Sequence, residues 1–389
     1  MKLKGESIVV FGGSDWWAHV VKPEHARAQY LSQENKVLFI NSIGIGMPGG
    51  GANRLGRRIL KKLQSMASGL RILGAALGVL SLFFIPVWNV RLIAAFNRRL
   101  ILWRISRAMR KLGIENPIII ASLPTARLFI DHIPNKLLLY NMKDLFGSYY
   151  EKMNFTVVSE HDAEMQQLAD CITTPSIGIA ERMKTQNDCI RYIPHGVNEA
   201  FFDDSAVEPD WFAGIPEPRI LYFGQMENLL DAPLLQRLAE REPKWQFVLV
   251  GNKQSTYEEL EAMRNVHFVP VKPQRELAAA GRNAAALIMP WQETEWIRYS
   301  CPIKFREYLA IGKPVVSVPI IEVEKAYPGM AATARTAHEW HAALKEAVTS
   351  NTPERDEARR KLVEGYTIQR FAEIYSGTLH ELLERKCAE

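Results

Sequence analysis

Short apolar strands alternate with helical stretches along this chain, break off, and then alternate again, a pattern that confines it to parallel α/β architecture. In the first run, strands are expected at Ser7 to Phe11, Lys36 to Asn41, Pro117 to Ser122, Lys136 to Tyr140, Cys171 to Thr174 and Ile190 to Ile193. Helices are expected from about Glu24 to Gln33, from Ser159 to Ala169, and from the Pro175-Ser176 turn to about Thr185. A polar, proline-containing connector from Asp203 to Pro218 then reads as a linker. Beyond it, strands at Arg219 to Phe223, Trp245 to Val250, Val266 to Val269, Ala285 to Pro290 and Pro314 to Val318 alternate with helices near Ala232 to Arg241, Gln274 to Arg282 and Ile303 to Ala310. A long polar-aromatic loop, Trp291 to Cys301, precedes the last of these helices. A chain of 389 residues has room for two hydrophobic cores. The expected division is residues 1–200, residues 216–365, and a closing helix over 366–389.

One segment departs from the alternation. From Asn35 to Ile114 the chain carries fourteen Lys and Arg and neither Asp nor Glu. The whole chain stands at +5, so the rest is net acidic and the basic character is concentrated here. Within the segment, an uncharged run from Ile72 to Val90 is flanked by cations on both sides. A membrane span would need roughly 20 apolar residues, and this run contains Pro86 and Asn89. A buried helix pair with solvated basic flanks leaves the cations without acidic partners in the segment. The favoured expectation is a basic insert over residues 52–112 whose amphipathic helices lie on anionic lipid, with Trp88 and Trp103 at headgroup depth and Arg98, Arg99, Arg104 and Arg107 on the phosphates. Each cation near such a surface contributes about 1 kcal/mol. The apolar run argues against nucleic acid as the partner.

Cys171, Cys189, Cys301 and Cys387 show no paired metal-ligand spacing, and the Met1 to Ser7 stretch shows no signal-peptide core. The cytoplasmic face of the membrane is the expected location.

Ligands of open α/β sheets sit beyond the C-terminal ends of strands. The first strand ends in Gly12-Gly13-Ser14-Asp15, either a plain tight turn or a close backbone approach to a ligand. Asp15, Trp16, His19 and Arg27, with Trp17 and His25 nearby, are candidates to line an acceptor site there. In the second half, Pro302 opens a helix whose first turn holds Lys304. Free N–H groups, the helix dipole and this ammonium suit a nucleotide diphosphate. Glu307, three residues on, shares a face with Lys304, and the two could equally form a plain ion pair on a solvated helix.

The segment from Pro302 to Ser317, with Ile193 to Asn198 and Tyr222-Phe223-Gly224-Gln225-Met226, resembles glycosyltransferases of the GT-B architecture over nearly the whole chain. In layout the chain is similar to the xanthan glucuronosyltransferase and to family 4-like transferases. The resemblance implies two facing Rossmann-like domains with a cleft between them, an N-terminal acceptor domain, a C-terminal nucleotide-sugar domain and a crossover helix. It implies donor contacts from Lys304, Glu307, Met226, Gln225, Trp291, Ser300 and Ile303, with Glu307 accepting from the ribose hydroxyls.

The chain departs from the retaining members at Tyr299, where they commonly carry a glutamate eight positions before the one matching Glu307. Asp144, approached by Tyr140 past an apolar strand, matches the catalytic base of the glucuronosyltransferase. An inverting transfer needs such a carboxylate to take the acceptor's proton. Lys304 and the helix N-terminus would hold the leaving diphosphate, so no metal and no cofactor beyond the nucleotide-sugar are expected. The chain thus reads as an inverting transferase moving a sugar from a UDP-sugar, UDP-glucuronic acid among the candidates, to a lipid-linked oligosaccharide in cell-surface glycan synthesis. A retaining transferase, a catalytically silent nucleotide-sugar sensor and an epimerase are the alternatives.

Overall fold

The computed structural model describes residues 1–17, 22–43, 69–85, 88, 90–146, 156–226, 229–253 and 255–388. They divide into two compact units. The first comprises Met1–Pro175, Ile179–Pro194 and Phe371–Glu389; the second, Ser176–Gly178 and His195–Arg370.

The first unit is built on an eight-stranded sheet: β1 (Ser7–Phe11), β2 (Lys36–Ile40), β3 (Leu70–Leu73), β4 (Leu77–Leu80), β5 (Ile118–Ala121), β6 (Leu137–Asn141), β7 (Cys171–Thr174) and β8 (Ile190–Tyr192). Its order is β3-β4-β2-β1-β5-β6-β7-β8, parallel except for the β3–β4 hairpin. Buried runs such as Ile118-Ile119-Ile120-Ala121 show why: helices cover both faces, so an uninterrupted apolar strand is stable only in the middle. The chain leaves β1 in one direction to β2 and returns to its other side at β5, which makes the C-terminal edge between β1 and β5 the topological switch point.

The hairpin corrects the expectation of amphipathic helices along the uncharged run. Leu70–Leu73 and Leu77–Leu80 pair antiparallel around Gly74, at φ 73°, and β4 pairs parallel with β2. Leu77, Val79 and Leu80 are therefore core residues rather than a lipid-facing stripe. Apolar composition alone does not distinguish a buried strand from a buried helix; pairing of β4 with the β2 edge settles it here, with Gly74 supplying the turn. The expected helical half of the insert does form, as Arg91–Leu112, closed by Gly113 in the left-handed conformation. Its inner face is Asn97, Ile101, Ile105 and Ala108. Asn97 exchanges two hydrogen bonds with the Ile85 backbone (2.9 and 2.7 Å), which satisfies the amide at no exposed cost. Residues Arg54, Arg57, Arg58, Lys61 and Lys62 lie outside the described residues.

The closing helix, Ile368–Ala388, belongs from Phe371 onward to the first unit. Ser376 Oγ accepts from Leu3 N–H (3.1 Å), Glu381 pairs with Arg191 (2.8 Å), and Lys386 pairs with Asp170 (2.6 Å).

The second unit holds a six-stranded sheet: β9 (Arg219–Phe223), β10 (Gln246–Val250), β11 (Val266–Val269), β12 (Ala286–Met289), β13 (Val315–Ser317) and β14 (Ala332–Thr333). All its pairings are parallel, in the order β11-β10-β9-β12-β13-β14. Its switch point lies between β9 and β12. Where a loop was expected, Glu295–Tyr299 forms a short helix capped by Thr294, whose Oγ1 accepts from Ile297 N–H.

Candidate active site

The second unit's switch point gathers most of the residues expected at the donor. β9 ends at Phe223, and the backbone turns away through Gly224 at φ 148°. That conformation strains any L side chain, and a Cβ there would also displace the Lys304 ammonium, which lies 2.1 Å from where it would stand. Gly251, at φ 152°, is needed for the same turn: its Cβ would lie 1.8 Å from the Gly224 carbonyl oxygen. Lys304 comes from the first turn of the Ile303–Ile311 helix, and its ammonium sits 4.5 Å from the Tyr222 ring centroid and 5.2 Å from that of Trp291. The rings are themselves fixed. Tyr222 donates its hydroxyl to the Gln225 carbonyl (2.8 Å) and accepts from Trp291 Nε1–H (3.4 Å). The ammonium is thus held over two π faces with its donors available to an anion.

Glu307 lies one turn deeper on the same helix, half-buried. Burial pushes its carboxyl up to about 7, against the opposing pull of Lys304. Gln225 is exposed, whereas Met226 is fully buried and offers only backbone, its N–H bonded to the Asn252 carbonyl (3.1 Å). Ser300 is buried with its hydroxyl given to the Ile297 carbonyl (2.8 Å), and Ile303 opens the helix after Pro302.

Beneath this surface is a network that sequence reasoning missed. Arg306, wholly buried, pairs with the equally buried Glu322 and donates to Tyr327 Oη (2.8 Å) and Cys301 Sγ (2.9 Å). Glu322 also accepts from Ile177 N–H (2.8 Å). Arg306 reads in sequence as one more cation on a polar helix; only its burial betrays the role.

In the first unit the switch point carries the Gly12-Gly13-Ser14-Asp15 turn. Asp15 Oδ1 accepts from Trp17 N–H (2.9 Å) and from Asn41 Nδ2 (3.3 Å), and Trp16 packs on His25 (4.8 Å) and Phe39 (4.9 Å). Arg27 is on the helix that follows, its guanidinium 4.6 Å from the Tyr375 ring. His19 lies outside the described residues. Asp144 is partly exposed, three residues beyond the end of β6.

Glu24, which had no assigned role, is the organising residue here. Its buried carboxylate accepts from Gly13 N–H (3.0 Å), from Ser14 Oγ and from Lys143 Nζ (3.2 Å). These partners hold it at about 2 although burial alone would raise it. A glutamate in a helix's first turn ordinarily signals only dipole complementarity, so the sequence carried no sign of this centre.

On the Arg91–Leu112 helix, Arg98, Arg99 and Arg107 are exposed and Arg104 is half-buried. Leu92, Phe96 and Trp103 are exposed by 83, 54 and 56 % and share one face with Arg99, Arg107 and Arg110 at the four- and three-residue spacing of a helix. Trp88 packs at a tilt against Phe84, with ring centroids 5.7 Å apart and planes 56° to each other. Among the described residues, the helix's seven cations make no ion pair with an acidic side chain.

Residues 217–350 match the family model for glycosyl transferases group 1. That match lies within the second unit, and the switch-point lysine, tyrosine and tryptophan all fall inside the matched residues. The chain is 24% identical over 181 residues to a protein described as the teichuronic acid biosynthesis glycosyltransferase TuaH of Bacillus subtilis (strain 168). That match covers 43% of this chain and 45% of the relative, less than half its length. Among solved structures, sucrose-phosphate synthase of Thermosynechococcus elongatus aligns with a TM-score of 0.71 at 15% identity, over 97% of this chain and 98% of that one. The structure described as trehalose-6-phosphate from E. coli bound with UDP-2-fluoro glucose aligns with a TM-score of 0.66 at 11% identity, over 97% and 98% of the two chains. These likenesses establish the fold, two parallel-sheet Rossmann-like domains of the GT-B kind. No helix among the described residues is long and apolar enough to cross a membrane.

Proposed function

We propose that this protein transfers a sugar from a UDP-sugar to a lipid-linked saccharide at an anionic membrane surface, with inversion and with Asp144 as the base. The observation that carries the donor half is the Lys304 ammonium poised over Tyr222 and Trp291 at a helix N-terminus inside a group 1 domain. It supports a diphosphate, because a full charge, first-turn N–H groups and the dipole converge on one spot. These donors can stabilise the leaving diphosphate without a metal ion. The neighbour bound to UDP-2-fluoro glucose favours uridine as the base, and the name of the curated relative is in keeping with glycan synthesis.

A binding screen of the purified chain against UDP, GDP, CMP and dTDP tests the donor site. UDP is expected to bind selectively, and Lys304→Ala to lose the binding. Glu307 adds a pH signature. As an acceptor for ribose hydroxyls it acts ionised, so with its carboxyl at about 7 in the free protein, affinity rises between pH 6 and 8. At pH 6 one proton must leave on binding, which weakens affinity about tenfold relative to pH 8. Glu307→Gln flattens that profile. The same raised value means the folded chain holds a proton the unfolded chain has released, so stability falls as pH climbs from the ordinary glutamate range through 7, and Glu307→Gln relieves the loss. Absence of nucleotide binding in the wild type overturns the transferase.

The membrane half rests on the Arg91–Leu112 helix, whose outward face mixes unpaired cations with Leu92, Phe96 and Trp103. This face suits the interfacial zone, cations on phosphate and aromatic rings at the acyl boundary. Replacing Arg98, Arg99, Arg104 and Arg107 with Gln is expected to release the protein from phosphatidylglycerol vesicles in a sedimentation assay, lowering the partition coefficient by nearly a thousandfold at about 1 kcal/mol per cation. Retention of the quadruple variant at wild-type levels refutes electrostatic docking.

A further inference from the structure

The transfer as proposed makes no use of the Glu24 carboxylate, yet this group ties three segments together at the edge of the first sheet. The turn after β1 contributes Gly13 N–H and Ser14 Oγ, the following helix contributes Glu24 itself, and the loop after β6 contributes Lys143. His25 completes the arrangement. Its Nδ1 accepts from Lys22 N–H (3.4 Å), so the neutral ring directs Nε2–H to Ser14 Oγ (3.0 Å), and Ser14 in turn donates to Glu24. The fit around Lys143 is close: a Cβ on residue 13 would stand 2.4 Å from its Nζ. Lys143 is followed directly by Asp144.

We propose that Glu24 and Lys143 are a positioning pair for the base: the buried carboxylate anchors the Lys143 ammonium above Gly13 and thereby holds the loop that carries Asp144 in place. The inference rests on Asp144 being that base. The pair also neutralises itself, so the residue next to Asp144 in the chain carries a compensated charge rather than a bare ammonium. The charged and titratable groups facing Glu24 and His25 are Asp15 from the β1 turn, Lys22 and Arg27 on the helix, and Lys143 from the β6 loop.

The titration of Asp144 tests this directly. It is followed by carbon-13 NMR of the full chain labelled at aspartate, the signal being assigned by its loss in Asp144→Asn. In Glu24→Gln the uncompensated ammonium moves the Asp144 midpoint to lower pH; in Lys143→Met the uncompensated carboxylate moves it to higher pH. Each shift is expected to be on the order of half to one pH unit, and the double variant returns near wild type. Amide exchange over residues 142–146 quickens about tenfold in Glu24→Gln, as a released loop requires. Should Glu24→Gln fail to fold, Lys143→Met against Lys143→Arg carries the test, since only the first removes the charge. An unmoved midpoint in Lys143→Met overturns the pair. Full transferase activity in Asp144→Asn removes the base assignment instead, and that result is independent of the midpoints.

Discussion

Asp144→Asn is expected to lower sugar transfer about a thousandfold while leaving UDP affinity unchanged, within the range for loss of a general base. In the transfer, the acceptor oxygen forms a bond to C1 of the sugar as the C1–oxygen bond to the diphosphate breaks. In the proposed mechanism the acceptor proton would pass to the Asp144 carboxylate, and the nucleoside diphosphate would leave onto Lys304 and the helix N-terminus. An amide of the same size cannot take that proton at neutral pH, which is why the loss falls on turnover. Donor affinity is expected to survive because the proposed donor contacts, Lys304 and Glu307, lie in the second unit, whereas Asp144 belongs to the first. Asp144→Glu restores part of the rate. The product's anomeric configuration is the companion measurement, inversion being expected with Tyr299 where a retaining enzyme would carry a glutamate. Activity of Asp144→Asn within tenfold of wild type excludes the carboxylate as base.

Glu322→Gln is the largest expected loss of stability. Arg306 and Glu322 are both almost completely hidden from solvent, and the arginine also donates to Tyr327 and Cys301. Removing one charge from such a pair leaves the other buried without compensation, which costs about 3–5 kcal/mol. For a unit of this size that corresponds to a fall in unfolding temperature on the order of 10 °C. The network braces the Ile303–Ile311 helix from below, through Arg306 within the helix and Cys301 just before it, so nucleotide binding weakens alongside stability. Replacing both partners with apolar residues of matching volume, Arg306→Met with Glu322→Leu, recovers much of the stability because no charge is stranded. A melting temperature in Glu322→Gln equal to wild type shows that the pair is dispensable.

The cluster at the second unit's switch point was legible because its signals are local. Proline at a helix start, a lysine in the first turn and glycines at strand ends each have a short-range physical meaning, and the chain order places them at one sheet edge. The first unit's switch point was legible only in part. Asp15 and Trp16 are found at the switch point where the strand-to-turn signal puts them, and Arg27 is found against Tyr375 in the closing helix. Glu24, Lys143 and His25 carry no local signature, since the contacts that give them their roles join residues up to 119 positions apart.

The basic segment shows the same division. Its charge and its amphipathic helix are properties of the sequence, as are the parallel α/β order and the strand at nearly every predicted place. Tertiary pairing decided that Leu70–Leu80 would add a hairpin to the sheet beside β2, because an apolar run satisfies strand and helix alike until a partner edge is present. It likewise decided which face of Arg91–Leu112 would be covered, leaving Leu92, Phe96 and Trp103 outward among the arginines. Periodicity states that a helix has two faces; only packing against the rest of the unit determines which of them meets solvent, and burial is what converts Glu24 and Arg306 from ordinary surface charges into the anchors of their sites.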